Sequence, residues 1–248
     1  MLEAHSVSVN FGAVVAVNDV RLSLKRNEVL GIVGPNGSGK STLLNALSGL
    51  VPAVGTVEID GEPVARRNPL RVRRAGFVRT FQTPQAFTEL SCIENVMVSS
   101  PDTSLTGMVG ALVNRPGMWR HERARIEAAY EALERVGLAE HATSPAAGLA
   151  YGQNRYLEIA RAIAAKPLIL AMDEPSAGLN QLETAELAKL ILSLRDDGLS
   201  ILVVDHKIGF LRSICDRMMV LSLGEVLAEG RPDAVFEDPA VIDAYLGA

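Results

Sequence analysis

Gly34-Pro35-Asn36-Gly37-Ser38-Gly39-Lys40-Ser41 is the stretch that decides how this chain is read. It satisfies G-x-x-x-x-G-K-[ST], the phosphate-cradling P-loop pattern, at every fixed position. The flanks carry the reading outward. Glu28-Val29-Leu30-Gly31-Ile32-Val33 is short, apolar and partly β-branched, which predicts a buried strand. Thr42-Leu43-Leu44-Asn45-Ala46-Leu47 predicts the start of a helix. Strand, glycine loop and helix are the order the chemistry needs. Glycines let backbone N–H groups turn toward phosphate oxygens with no Cβ in the way. The helix N-terminus adds the positive end of its dipole. In this pattern Lys40 reaches the β- and γ-phosphates, and the Ser41 hydroxyl ligates Mg²⁺. A plain glycine-rich turn before a helix is disfavoured by those flanks. The chain is therefore expected to bind a nucleoside triphosphate.

The 248 residues allow one large domain or two small ones. Hydrophobic residues at 48% and charged residues at 21% are ordinary for a globular protein. The net charge of −5, with no long basic run, gives nucleic acid no support as a partner. A local cluster of Arg66, Arg67, Arg71, Arg73 and Arg74 reads as solvated surface. No apolar run approaches the roughly 18 residues of a membrane span, and the start, Met1-Leu2-Glu3-Ala4-His5, shows no secretory signal pattern. Cys92 and Cys215 are far apart and suit no metal-ligand spacing, which fits a reduced, cytoplasmic protein.

In chain order, residues 5–25 alternate loosely and predict two antiparallel strands with a turn at Phe11-Gly12. Phe11 either covers the sheet edge or offers a stacking platform for adenine. A hairpin is expected around Asp60-Gly61. Phe77-Val78-Arg79-Thr80-Phe81 reads as a strand ending at Gln82. Leu105, Met108, Val109, Leu112 and Val113 lie on one helical face, with Asn114-Arg115-Pro116-Gly117 as its stop. A second helix is expected from about 120 to 136, and a third after 149–153. Leu168-Ile169-Leu170-Ala171-Met172 predicts a buried strand that delivers Asp173-Glu174 to the ligand-binding edge of a parallel sheet. Adjacent carboxylates there are costly unless they serve a cation or a proton. Asp173 is assigned to Mg²⁺ and Glu174 to the attacking water. The competing reading, that they cap the next helix, fits poorly because 175–180 intervene. After a helix over about 181–197, Ile201-Leu202-Val203-Val204 predicts a further strand delivering Asp205-His206 to the same edge, where His206 can meet a γ-phosphate oxygen or the water. A closing hairpin around Gly224 and a short helix from Pro239 to Leu246 complete the chain.

This ordered set resembles the ATP-binding cassette (ABC) ATPases: residues 34–41, Gln82, Leu149-Ala150-Tyr151-Gly152-Gln153, Asp173-Glu174 and His206. The likeness covers essentially the whole chain. It implies a nucleotide site of Gly34, Asn36, Gly37, Ser38, Gly39, Lys40, Ser41 and Thr42, with Phe11 as the adenine-stacking aromatic. It implies that Ala150, Tyr151, Gly152 and Gln153 are the signature loop and that 176–180 is the loop after the carboxylates. Lys40, Glu174, His206 and Gln82 would carry catalysis, with Ser41, Gln82 and Asp173 on the metal. The finer likeness is to the branched-chain amino acid uptake branch, through Arg79-Thr80-Phe81-Gln82, the 149–153 signature, Asp173-Glu174-Pro175-Ser176-Ala177-Gly178-Leu179-Asn180 and the ending Ala244-Tyr245-Leu246-Gly247. Two departures stand out. Ala150 and Tyr151 replace the Ser and Gly of the family-wide Leu-Ser-Gly-Gly-Gln, so the backbone of Gly152 and Gln153 must do more. Asp205-His206-Lys207 replaces the usual Glu-His-Asp and puts a cation where the branch has an anion.

The resemblance implies an α/β fold: a P-loop NTPase core with a mostly parallel central sheet, an antiparallel β subdomain and an inserted α-helical subdomain. The core lobe would comprise 1–82 and 166–248, and the helical lobe 83–165. It further implies an importer ATPase using ATP and Mg²⁺, peripheral on the cytoplasmic face of the inner membrane. Its partners would be a membrane permease docked near Gln82 and 83–100, a second cassette (identical or sibling) and, indirectly, an extracytoplasmic solute-binding protein. Branched-chain amino acids are the expected solute. Urea, amides or another solute, or a soluble cassette ATPase outside transport, are the alternatives.

Overall fold

The computed structural model of the chain describes residues 1–64, 68–81, 85–99 and 115–246. Gln82, Arg66, Arg67, Asn114, Gly247 and the expected stripe from Leu105 to Val113 lie outside those residues. The chain divides into two compact units, Met1–Gln82 with Leu168–Ala248, and Thr83–Pro167.

Both sheets belong to the first unit. The larger is ordered β10 (Glu225–Gly230), β9 (Arg217–Ser222), β3 (Val29–Val33), β8 (Ser200–Val204), β7 (Ile169–Asp173) and β6 (Phe77–Arg79). All its pairings are parallel except β9 with β10. Strands β3, β7 and β8 are buried at every residue, which is why they read as unbroken apolar runs rather than alternating ones. Edge strand β6 is shorter than expected. Pairing ends with one bond from the Thr80 N–H to Ala171 O, and Phe81 beyond it is half exposed.

The smaller sheet is antiparallel, ordered β2 (Val14–Leu24), β1 (Leu2–Phe11), β4 (Val54–Ile59) and β5 (Glu62–Pro63). Here the alternation is visible, with Leu2 and Ala4 inward and Glu3 and His5 outward. Asp60 and Gly61 join β4 to β5 with φ of 52° and 80°, the doubly left-handed turn that Asp-Gly favours. Helix α1 (Lys40–Leu47) buries Leu43, Leu44 and Leu47 in a core shared with Leu2, Leu22 and Leu24 of one sheet and Leu30 and Ile32 of the other. One core thus ties the P-loop helix to both sheets. The short helix α2 (Pro69–Arg74) is capped by the Asn68 side chain and leaves Arg71, Arg73 and Arg74 exposed.

The second unit is helical. Helices α3 (Cys92–Val98), α4 (Arg115–Arg135) and α5 (Tyr151–Ile163) pack on one another. Ser91 and Glu94 form a reciprocal capping box at the start of α3. The fully buried Asn95 fixes the preceding turn, donating to Phe87, Leu90 and Ser91 carbonyls and accepting from the Phe87 N–H. Helix α4 starts earlier than the expected position of about 120, so that Pro116-Gly117 lies in its first turn; the helix these residues were expected to stop falls outside the described residues. A proline costs nothing there, because first-turn N–H groups have no intrahelical acceptor to lose.

The first unit is completed by α6 (Gln181–Asp196), α7 (Ile208–Ile214), α8 (Pro232–Glu237) and α9 (Pro239–Leu246). Behind β3 the packing is tight. A Cβ at Gly31 would lie 2.7 Å from the buried Cys215 Sγ and 3.3 Å from Met218 Cγ. Gly31→Ala is therefore expected to lower stability by about 1–3 kcal/mol, and Cys215→Ala in the same chain to recover part of the loss. Chemical denaturation of the two single variants and the pair measures both effects.

Candidate active site

The loop 34–39 joins β3 to α1, and at Gly34 and Gly39 other backbone comes too close for a side chain. Gly39 has φ 100°, and a Cβ there would lie 2.4 Å from Ala16 O. At Gly34 it would lie 2.1 Å from Leu221 O. The loop is held by bonds from the Gly224 N–H to Ser38 O and from the Ser38 N–H to Pro35 O. The Asn18 N–H donates to Gly224 O, so β2 and the β9–β10 turn clasp the loop together. Asn36, Gly37 and Ser41 are exposed, Ser38 and Lys40 buried.

Lys40 leads α1. Its Nζ donates to Gly34 O and Pro35 O, each at 2.8 Å, which holds the ammonium over the loop. Burial pushes this ammonium below its ordinary pKa, while the carboxylates of Glu174 and Asp173 pull it back up. Lys40 and the two acidic residues therefore lie within one another's fields.

Asp173 ends β7. Its Oδ2 accepts from Arg79 Nη2 at 2.7 Å on the neighbouring strand. Arg79 also donates to Asn45 of α1 and stacks over the Phe81 ring. Asp173 Oδ1 is buried and has no hydrogen-bond partner among the described residues. An orphaned carboxylate oxygen, with the Ser41 hydroxyl as the other expected donor, is the oxygen-only set that a hard divalent cation takes. The residues fit Mg²⁺ on that ground. Glu174 follows with φ 47°, its N–H bonded to Val204 O at 2.7 Å. Neither carboxylate caps the next helix. Asn180 does so, in a capping box with Glu183 at 2.9 and 3.0 Å.

His206 follows β8 at the same sheet edge, its ring exposed and Nδ1 3.8 Å from Asp205 Oδ1. Phe11 stands at the tip of the β1–β2 hairpin, 51% exposed, on the hairpin whose Ala16 and Val17 pack against Gly39. In the second unit Ala150 is the N-cap of α5, which starts at Tyr151. The Gln153 side chain accepts from the Ala150 N–H at 2.9 Å and meets His141 Nε2. Ala150 has no side-chain oxygen to return the bond, so α5 has no side-chain cap on its leading N–H groups. Tyr151 is exposed and Gly152 buried.

Sequence reasoning missed three residues. Arg79 is the counter-ion of Asp173, and Lys207 bonds the loop after Glu174. Tyr245 of α9 lies beside the Gly34 backbone, and burial pushes its phenol up to about 12. Arg79, Lys207 and Tyr245 were all visible as motif letters, but nothing local told what they touch.

The family model ABC transporter matches residues 17–177, and the model Branched-chain amino acid ATP-binding cassette transporter matches residues 225–248. The chain is 39% identical to BraF of Pseudomonas aeruginosa, described as a high-affinity branched-chain amino acid transport ATP-binding protein, over all of this chain and 98% of that one. LivG of Escherichia coli, described in the same words, matches at the same identity and coverage. Among solved structures, a nucleotide-free ATP-binding cassette from an ABC transporter superposes with a TM-score of 0.87 at 30% identity, covering 100% of this chain and 99% of that one. A dimeric ATP-binding cassette in a post-hydrolysis state, bound to ADP and Pi, superposes at 0.75 and 27% identity, covering 94% and 99%. The α/β fold with its P-loop core, the matched models and the full-length relatives agree: the chain belongs to the ABC transporter family, as one of its nucleotide-binding ATPases.

Proposed function

We propose that this chain is the ATP-hydrolysing subunit of an importer for branched-chain amino acids. The observation that carries the chemistry is the parallel run of β3, β8 and β7, whose C-terminal ends bring the P-loop, Asp173-Glu174 and His206 to one sheet edge. The solute is supported by the names of the full-length relatives and by the match over 225–248.

In this reading Lys40 and the N–H groups of 36–42, including those of Ser38 and Thr42, bind the triphosphate, and Phe11 stacks on adenine. Asp173, Ser41 and Gln82 would hold Mg²⁺, which neutralises charge on the phosphate oxygens. Glu174 polarises the attacking water and His206 hydrogen-bonds the γ-phosphate. The signature loop, Ala150, Tyr151, Gly152 and Gln153, serves the nucleotide of a second cassette. The uncapped N–H groups at the start of α5 support that use of backbone. ATP then joins two cassettes, and hydrolysis loosens them.

Among the described residues no helix is long and apolar enough to cross a membrane. A separate permease would therefore conduct the solute, fed by an extracytoplasmic binding protein, with this chain on the cytoplasmic face of the inner membrane. The alternative of a urea or amide importer has no observation in its favour.

Affinity purification from membranes, with identification of the co-purifying subunits, tests the proposal; the permease of a different solute class would overturn the assignment of branched-chain amino acids. Glu174→Gln is expected to abolish turnover while trapping an ATP-bound dimer, read by ATPase assay and size-exclusion chromatography. Lys40→Ala is expected to lose nucleotide binding itself, and unchanged affinity for a fluorescent ATP analogue would remove Lys40 from the phosphate site.

A further inference from the structure

Glu174 has φ 47°, a left-handed conformation that a non-glycine residue keeps only where its surroundings over-determine it. Its N–H side is fixed by the bond to Val204 O. Its C-terminal side depends on the turn that follows, in which the Ala177 N–H donates to Glu174 O at 3.1 Å. That turn is gripped by the segment 205–207. The buried Asp205 carboxylate accepts from Ser176 N–H at 3.1 Å and Ser176 Oγ at 2.9 Å, and also from the N–H groups of His206 and Lys207 at 2.7 and 2.9 Å. Lys207 closes the far side. Its Nζ donates to Ser176 O at 2.9 Å and to Leu179 O at 3.0 Å.

We infer that Lys207 is a positioning residue for Glu174: by bonding the carbonyls at both ends of the turn 176–179, it locks the turn and aims the Glu174 carboxylate. The inference rests on the proposed role of Glu174. It also gives Lys207 a purpose that an acidic residue could not serve, since a carboxylate at 207 would face two carbonyl oxygens with nothing to donate. The same three-residue segment carries His206, so the turn and the histidine are fixed to each other through Asp205 and Lys207. Charge-assisted bonds from a half-buried ammonium are strong enough to hold such a turn in one geometry.

The test is steady-state ATP hydrolysis by the full-length chain, with ATP affinity measured separately by a fluorescent analogue. Lys207→Met is expected to lower kcat about tenfold while KM and ATP affinity stay within about twofold, the pattern of an interaction used in the transition state rather than in binding. Lys207→Arg, which can still donate to both carbonyls, should restore most of the turnover. Lys207→Gln, with an amide in place of the ammonium, should fall between, and it serves if the methionine variant does not fold. Wild-type kcat in the methionine or glutamine variant overturns the inference. So does a parallel loss of ATP affinity, or failure of the arginine variant to rescue. Glu174→Gln, assayed alongside, separates the two ideas. If that variant is inactive while Lys207→Met is normal, only the inference falls. If it is fully active, the reading beneath it falls as well.

Discussion

The constraint on which the rest of this structure depends is backbone packed against backbone around the P-loop. Leu221 O and Ala16 O come so close to Gly34 and Gly39 that no side chain fits at either position. The loop is therefore held between the end of β9 and the start of β2. Two glycines that first look like flexibility act here as sites of closest approach. The parallel sheet adds the second half of the constraint. Because β3, β7 and β8 run side by side in one direction, their C-terminal ends bring the loop, Asp173-Glu174 and His206 to one edge.

Charge balance at that edge follows from burial. Lys40 and Asp173 are both buried, and neither would be stable there alone. Arg79 takes one oxygen of Asp173, and two loop carbonyls take the Lys40 ammonium. What remains without a partner at this edge, among the described residues, is Asp173 Oδ1, at the position where an acidic residue meets the expected cation, and Arg79 Nε beside it. The arrangement is preorganised in the useful sense: the polar groups are already oriented, and their unmet capacity points to a ligand.

Much of this was legible because the relevant signals are local. The P-loop has a spacing, buried parallel strands have a composition, and Asp60-Gly61 has a turn chemistry. The helical unit was harder. Pro116-Gly117 reads locally as a stop, yet a proline fits the first turn of a helix as well, and there the pair lies. The helices α7 and α8 are too short to show a period. Pairs joined across long stretches of chain left no trace at all. Arg79 and Asp173 are 94 residues apart, and Lys207 reaches back 31 residues to Ser176. A sequence shows which residue types stand ready for such bonds, and the fold chooses among them.

The C-terminal segment sharpens that point. Residues 225–248 match the model specific to the branched-chain amino acid transporters, while the P-loop lies within the match to the general family. The structure brings the two together. Strand β10 pairs with β9, whose end abuts Gly34, and the Tyr245 phenol of α9 lies beside the Gly34 backbone. Burial disfavours the phenolate there, so Tyr245 stays a neutral side chain against the loop. The most general motif in the chain is thus packed against its most branch-specific segment.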